Sequence, residues 1–304
     1  MCIFDKIKRI PHALQFQFWK RMEEITHKIA PFQYDAIRYY RITGKKLNWR
    51  NPKTVSEKLL WLNRYDQSPL KVVCADKYRV REYVKDCGLD EINVPLIGVW
   101  GNVEDINWEQ LPNQFALKTN HGCGTNIICT DKSQLDIEEA KRKLTEWLQI
   151  DFGKLCNEQH YSKIQRRILA EEYLPMGDYP LDYKIHCFNG EPYCFLFYPK
   201  HDDEGCIRIS YSLDWERKYY IKGEDKYQID IPKPANLDKM LEYARILAKP
   251  FPYVRVDFYE VKGRLYIGEL TFTSFVNMIE YFYKPEVSLD MGNKLILPKK
   301  YHHD

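Results

Sequence analysis

The chain has 304 residues and a net charge of +3, and hydrophobic residues make up 44% of it, including 23 Tyr and 14 Phe. This composition is typical of a folded globular protein and excludes a disordered one. The sequence contains no run of 18 apolar residues and no secretory signal pattern, so we expect neither a spanning helix nor export. Nine cysteines without a C-x-x-C pair argue against zinc and favour buried, reduced thiols in the cytoplasm.

Positive charge is concentrated at the start of the chain. Residues 1–50 carry a net charge of +7, whereas the remaining residues carry −4. This asymmetry predicts an anionic partner for the N-terminal segment, such as a lipid phosphate or an acidic glycan at the inner face of the membrane. The alternative, which we favour over membrane contact, is a helix packed on the protein with its basic face in water. The basic residues nearest the N-terminus are Lys6, Lys8, Arg9, Lys20 and Arg21.

The hydrophobic pattern predicts helices first and two α+β regions after them. The N-terminal helices are expected over residues 12–45, 54–65 and 71–88, the second of them capped by Thr54 or Ser56. A small α+β lobe would contain strands near 96–100, 114–119, 125–130 and 167–173 and a helix over 137–149. A larger lobe would contain strands near 182–188, 192–198, 206–212, 253–259 and 264–271 and a helix over 235–248.

Residues 116–126, A-L-K-T-N-H-G-C-G-T-N, combine the end of a strand with a glycine-containing loop. Gly122 and Gly124 let backbone N–H groups approach an anion, and Lys118 supplies a charge for phosphate oxygens. Ile127 and the residues after it predict a returning strand, unlike a P-loop or a Rossmann turn, where a helix follows. Taken by itself, the segment fits an ordinary hairpin equally well.

Two acids lie on a second predicted hairpin. Residues 254–259, V-R-V-D-F-Y, and residues 265–271, L-Y-I-G-E-L-T, read as paired strands. Asp257 and Glu269 then place one carboxylate on each arm, an arrangement suited to Mg²⁺. Alone, the acids are better interpreted as solvated strand residues paired with arginines. Together with a lysine and a glycine loop, the metal site is the better interpretation.

An extended segment joins the two predicted lobes. Residues 168–175 form an apolar strand that ends in Glu171 and Glu172 and is followed by Asp182. The backbone of such a segment can pair the edge of an adenine ring, and an acid can hold ribose hydroxyls. The alternative for the two glutamates is an exposed strand end.

In this order the motifs resemble the ATP-grasp superfamily, and more narrowly its TupA-like branch, which is associated with teichuronopeptide and other surface-polysaccharide biosynthesis. The resemblance extends over roughly residues 40–297, and it implies an α+β ATP-grasp fold whose two lobes hold ATP behind a helical N-terminal segment. The implied domains are residues 1–95, 96–175 and 176–304. The matching strings are A-D-K-Y at 75–78, L-K-T-N-H-G-x-G at 117–124, D-Y-K-x-x-C-F-N-G-E at 182–191, R-V-D-F-Y at 255–259 and G-E-L-T-F-T at 268–273.

The resemblance also implies which residues bind ATP. Two lysines would hold the phosphates under the glycine loop, the segment after Glu171 would border adenine, and Asp182 would reach the ribose. The implied ATP-binding residues are Lys77, Lys118, Gly122, Gly124, Glu171, Glu172, Leu174 and Asp182.

Metal binding and catalysis are implied for a further set of residues. Asp257 and Glu269 would hold Mg²⁺, with Asn277 as a candidate third ligand, because Thr271 stands where many ATP-grasp enzymes have Asn. Arg255 would stabilise an acyl phosphate. Two more residues are implied near the reacting groups: Lys184 and His121. For His121, contact with a phosphate and a role in shaping the loop are equally good interpretations.

The function implied by the resemblance is that of an ATP-dependent carboxylate–amine ligase. It would join an amino acid or other amine to a uronic acid or acidic polymer through an acyl phosphate, without nucleic acid. The first alternative is a phosphotransferase that acts on a glycan hydroxyl, and another is a nucleotide-sensing module. A glycosyltransferase with metal at Asp202 and Asp203 is less favoured. Specificity is expected in the N-terminal segment and in residues 201–217, with Arg208 and Trp215 as contacts.

Overall fold

The computed structural model describes residues 12–176, 181–199, 201–202 and 205–299. The predictions that concern Lys6, Lys8, Arg9 and Asp203 lie outside these residues, as does the side chain of Lys20. None of the helices in this part of the chain combines the length and the apolar character needed to cross a bilayer. The eight described cysteines are free thiols, of which four are buried, three are half-buried and Cys123 is exposed.

The N-terminal region is helical, but two predicted helices are interrupted. The helix predicted over 12–45 is two helices, because Pro31 starts a new one after Ala30 leaves the helical conformation. The helix predicted over 71–88 is also two, because Asp76 accepts hydrogen bonds from the backbone N–H groups of the two residues that follow Lys77. These helices are α1 His12–Ile29, α2 Pro31–Thr43, α3 Val55–Tyr65, α4 Pro69–Ala75 and α5 Val80–Asp86.

The start of α3 shows the predicted cap. The Thr54 hydroxyl accepts a hydrogen bond from the Glu57 backbone N–H, and the Glu57 carboxylate accepts one from the Thr54 backbone N–H. This reciprocal pair satisfies two N–H groups that have no partner within the helix, so the sequence defines this boundary locally.

A four-stranded antiparallel sheet forms the small lobe. Its strands are β1 Leu96–Trp100, β2 Phe115–Thr119, β3 Asn126–Cys129 and β4 Ile168–Glu172, in the order β1-β4-β2-β3. Leu144 of the helix α6, Ile137–Gln149, packs on this sheet against Phe115 and Leu117, and the bounds of this helix match the predicted ones. Two short helices, α7 Phe152–Cys156 and α8 Gln159–Ser162, lead to β4.

A five-stranded antiparallel sheet forms the larger lobe. Its strands are β5 Asp182–Phe188, β6 Glu191–Phe197, β9 Ile209–Tyr211, β10 Tyr253–Val261 and β11 Arg264–Thr271, in the order β11-β10-β5-β6-β9. A separate pair is β7 His201–Asp202 and β8 Gly205–Cys206. The helices here are α9 Leu237–Ala248 and α10 Pro285–Lys294, of which α10 was not predicted. Single 3₁₀ turns are Asp90–Ile92, Val103–Asp105, Lys132–Gln134, Glu224–Lys226, Ser274–Asn277 and Ile279–Tyr281.

The alternation in β10 divides the larger sheet between an apolar and a polar face. Val254, Val256 and Phe258 are fully buried in the core formed with α9. Arg255 and Asp257 point to the opposite face, because successive side chains of a strand alternate. The sheet therefore presents charged groups beside the small lobe. The division into domains 1–95, 96–175 and 176–304 stays a prediction.

Candidate active site

A cleft of about 660 Å³ is lined by residues from both sheets. This volume lies within the usual range of small-molecule pockets. The polar lining groups include Lys77, Lys118 and the glycine loop, whereas Ala116 and Ile128 contribute apolar surface from β2 and β3. Nine predicted residues line the cleft together: Lys77, Lys118, Gly122, Gly124, Glu171, Glu172, Leu174, Asp182 and Glu269.

The glycine loop and Lys77 are held together by a buried amide. The Asn120 side-chain amide donates one hydrogen bond to the Asp76 carboxylate at 2.8 Å, and the Asn120 backbone carbonyl accepts one from the Lys77 backbone N–H at 3.0 Å. The Lys77 ammonium in turn donates to the Gly122 carbonyl at 2.5 Å. Gly124 adopts a φ of +70°, a conformation in which glycine avoids the strain of a side chain. The loop thus joins two strands, as predicted.

Lys118 contacts the Glu171 carboxylate, which also accepts from Arg81 at 3.3 Å. Glu171 is buried, so its charge is matched by the two cations rather than by water. Arg81 could not be found by spacing, because 90 residues separate it from Glu171. The lysine therefore points into the cleft from a fixed position at the end of β2.

A β-bulge in β11 turns Glu269 toward Asp257. Ile267 packs in the apolar core, so unbroken alternation would direct Glu269 there as well. The register between β10 and β11 shifts at Gly268, and beyond it Leu270 takes the core side. Glu269 therefore lies directly opposite Asp257, with both carboxylates on the polar face.

Arg255 binds both carboxylates of this hairpin. Its Nε and Nη2 lie 2.7 and 2.6 Å from the two Asp257 oxygens, and Nη2 lies 2.9 Å from Glu269 Oε1. Lys184 Nζ lies 2.9 Å from Asp257 Oδ2 and also contacts the Asp182 carboxylate. Asp257 is only 1% exposed and is surrounded by cations. Buried charges thus form one connected network at the edge of the cleft.

The network shifts the pKa values of two carboxyl groups, Glu269 and Asp182, in opposite directions. Burial opposes ionisation of Glu269, but the positive charges of Lys77 and Arg255 outweigh it and lower its pKa to about 2. Burial and the nearby Asp257 carboxylate raise the pKa of Asp182 to about 6. Glu269 is therefore an anion at any ordinary pH, as a metal ligand must be.

The oxygen atoms near Glu269 fit Mg²⁺. Glu269 Oε2 lies 3.8 Å from Lys77 Nζ, and the side chain is one-third exposed and lines the cleft. Thr271 donates to Glu269 Oε1 at 2.8 Å and so positions the carboxylate. Among the described residues no three His, Cys, Asp or Glu side chains form a metal cluster. A carboxylate pair with few further protein ligands is nevertheless what Mg²⁺ bound to phosphates requires, with Asp257 as the buried partner.

His121 does not line the cleft. It is 1% exposed, its Nε2 forms a hydrogen bond with the Ile150 carbonyl at 3.0 Å, and its ring packs edge-on against Phe152. Burial lowers its pKa, so the imidazole is neutral. We therefore correct its assignment from catalysis to shaping the loop.

Two other predicted contacts also require correction. Asn277, the last residue of the kinked turn Ser274–Asn277 in which Phe275 and Val276 have positive φ, is 2% exposed and does not line the cleft. Trp215 belongs to the hydrophobic core, where it packs on Tyr211 and donates its Nε1–H to a backbone carbonyl. Neither residue is among those that line the cleft.

The apolar lining was largely missed by sequence reasoning. Tyr259, Ile267 and Met176 line the cleft beside Ala116 and Ile128. Ile128, in the strand that follows the glycine loop, is 51% exposed, and the sequence does not record that exposure. Such side chains suit the faces of an aromatic ring.

Comparison with known proteins places this architecture. The sequence profile described as TupA-like ATPgrasp matches residues 57–296. The chain belongs to the TupA-like ATP-grasp family. Its two α+β lobes and the cleft between them accordingly form the ATP-grasp fold. The cofactors of the family are ATP and Mg²⁺. No curated protein matches the chain significantly.

Two ligases are among the solved structures with some similarity. D-alanine–D-alanine ligase from Bacillus anthracis is 17% identical, with 73% of this chain and 63% of the ligase covered and a TM-score of 0.42. L-amino acid ligase from Bacillus licheniformis is 14% identical, with 82% and 58% covered and a TM-score of 0.48. The chain thus spans less than two thirds of the length of either ligase.

Proposed function

We propose that the protein is an ATP-dependent ligase that joins a carboxylate to an amine. The observation that carries this proposal is the network in which Arg255 binds Asp257 and Glu269 at the edge of a cleft lined by Lys77 and Lys118. The lysines of the cleft suit the phosphates of a nucleotide, and the adjoining arginine and acids suit the transferred phosphoryl group and a substrate carboxylate.

The cleft orders the nucleotide through lysines and backbone amides. Lys118 and Lys77 pair with phosphate oxygens, and the loop that contains Gly122 and Gly124 covers them. Leu174 and the backbone of the segment from Glu172 border the adenine ring. Asp182, whose Oδ1 has no hydrogen-bond partner among the described residues, accepts from the ribose.

Mg²⁺ would be held by Glu269 and Asp257, and it supplies neutralisation of phosphate charge during transfer. Arg255 orients both acids. Its Nη1 makes no hydrogen bond within the described part of the chain, so this nitrogen is the donor left for a substrate oxygen. The residues thus bring the γ-phosphate and a carboxylate to the same point.

The chemistry follows from that placement. A carboxylate oxygen attacks the γ-phosphorus and ADP leaves, which makes an acyl phosphate. The amine then attacks the acyl carbon. Phosphate leaves with the carboxylate oxygen that had attacked the γ-phosphorus, and the nitrogen loses a proton. Arg255 and Lys184 remain charged throughout and stabilise the anionic oxygens.

The finer role we propose is amide formation on a uronic acid or acidic polymer during surface-polysaccharide biosynthesis. The family match and the positive charge of residues 1–50 support it. That charge suits a lipid-linked or polyanionic acceptor.

Product analysis tests the proposal. The purified chain is incubated with ATP, Mg²⁺ and paired panels of carboxylates and amines, and mass spectrometry identifies the products. ADP together with an amide that depends on both substrates is expected, and Glu269→Gln should abolish it. A phosphoester with ADP, or no ADP with any pair, would reject the ligase assignment.

A further inference from the structure

Arg208 differs from the active-site cations because it has no carboxylate partner among the described residues. Lys77, Lys184 and Arg255 each contact an acid. Arg208 Nη1 donates only to the Cys206 carbonyl at 2.9 Å, and its enclosed Nε has no hydrogen-bond partner in the described part of the chain. A half-buried cation without a counter-charge is costly, and a bound anion would remove that cost.

Aromatic rings hold the Arg208 guanidinium in place. Its Cζ lies 3.7 Å from the centre of the Phe282 ring, 5.6 Å from that of Tyr198 and 6.0 Å from that of Phe275. Contacts of a guanidinium with ring faces fix its plane and its direction. The side chain is therefore ordered before a ligand arrives, so binding loses little rotamer entropy.

Tyr198 connects Arg208 with the active site. The Lys184 ammonium lies 5.5 Å from the centre of the same Tyr198 ring. Lys184 in turn lies 2.9 Å from the Asp257 carboxylate. One aromatic ring thus separates Arg208 from the ionic network. A substrate whose carboxylate reacts at that network could therefore place a second group at Arg208.

The surface around Arg208 is aromatic and partly open. Tyr198, Phe275 and Phe282 are half-buried, and Tyr281, which packs on Phe282, is 57% exposed. Sugar rings present C–H faces that pack on aromatic rings. A carboxylate or phosphate on such a sugar can accept two parallel hydrogen bonds from a guanidinium.

We propose that Arg208 and the rings of Tyr198 and Phe282 bind an acidic sugar unit of the substrate, through its carboxylate or phosphate. The inference rests on the proposed function and names the substrate class that this part of the protein selects. Arg208 recognises an anionic group, whereas Arg255 serves the reacting carboxylate. Binding of the sugar unit at Arg208 is non-covalent, so it consumes no ATP or other reactant.

Calorimetry with three ligands that share one ring tests the proposal. Glucose, glucuronate and glucose 6-phosphate are titrated into the full chain at constant ionic strength. At least one acid should bind about tenfold more tightly than glucose. The acid that is preferred distinguishes a carboxylate from a phosphate.

Variants assign the preference to Arg208. Arg208→Gln should reduce it to below about threefold and leave ATP affinity unchanged. Arg208→Met, which still packs on Phe282 and removes the unmatched charge, keeps the test open if Arg208→Gln is unstable. Arg245→Gln is the control, since Arg245 is exposed and paired with Glu191.

The outcomes separate the two proposals. Equal binding of glucose and both acids, or a preference that survives in both Arg208 variants, would overturn the role of Arg208. Acid binding that depends on Arg208 without any ADP formation would support this site while rejecting the ligase. A normal amide product with no Arg208-dependent acid binding would do the reverse.

Discussion

Asp257 and Glu269 lie opposite each other on paired strands, but their surroundings differ. Asp257 is 1% exposed, and both of its oxygens are bound by Arg255, one of them also by Lys184. Glu269 keeps one-third of its side chain exposed and lines the cleft. The two acids should therefore differ in what their charge contributes: Glu269 mainly to catalysis, and Asp257 to stability as well.

Neutral variants separate these contributions. Glu269→Gln should lower turnover by roughly 100-fold or more, because charge near a phosphoryl group matters most in the transition state. Asp257→Asn should lower turnover similarly and also cost about 3 kcal/mol of stability, since it removes one of the two carboxylates that Arg255 and Lys184 each contact. Steady-state ADP release and thermal unfolding measure the two effects. Near-normal turnover of both variants at saturating Mg²⁺ would show that the hairpin is structural.

Lys118→Ala should weaken ATP binding by about tenfold or more, because a charge-assisted contact with phosphate is lost. The fold should survive, since the Lys118 side chain is partly exposed and Arg81 still pairs with Glu171. Calorimetric titration with ATP measures the change. Lys141→Ala is the matched control, because Lys141 lies on the outer face of α6. Equal ATP affinity in the two variants would remove Lys118 from the nucleotide site.

Arg255→Lys should lower turnover by roughly 100-fold and change ATP affinity by less than about threefold. Lysine keeps the charge but cannot bind Asp257 through two nitrogens and reach Glu269 as well. Comparing kcat with the ATP dissociation constant makes the distinction. A loss of ATP affinity as large as the loss of kcat would assign Arg255 to the nucleotide instead.

A buried acid between α2 and α7 should make stability depend on pH. Asp35 accepts a hydrogen bond from Asn157 at 2.8 Å, and burial raises its pKa to about 7 despite the nearby charges of Arg38 and Arg64. The unfolded chain loses this proton near pH 4. The contribution of this one group to stability is therefore fully present below pH 4 and is lost as pH rises toward 7.

Thermal unfolding at several pH values tests this dependence. Asp35→Asn keeps an acceptor for Asn157 but has no proton to lose. Between pH 5 and 8 the Tm of this variant should therefore fall by roughly 3 °C less than that of the natural chain. Glu242→Gln on the exposed face of α9 should behave as the natural chain does. Parallel curves for all three proteins would contradict the assignment.

The sequence by itself determined the elements that carry the site. Alternation in V-R-V-D-F-Y placed Arg255 and Asp257 on one face of a strand, and T-N-H-G-x-G predicted a loop between two strands. The capped start of α3 and the helix α6 were also predictable. These features depend on periodicity and on contacts within a few residues, which a local pattern records.

Only the tertiary structure decided how these elements meet. The bulge at Gly268 turned Glu269 to the polar face, which simple alternation would not have done. Asn120 bonds to Asp76, 44 residues away, and so holds Lys77 beside the glycine loop, whereas His121 packs against Phe152 and does not line the cleft. Register shifts and contacts between distant segments follow from the packing of the whole core, because many local arrangements are nearly equal in energy until that core forms.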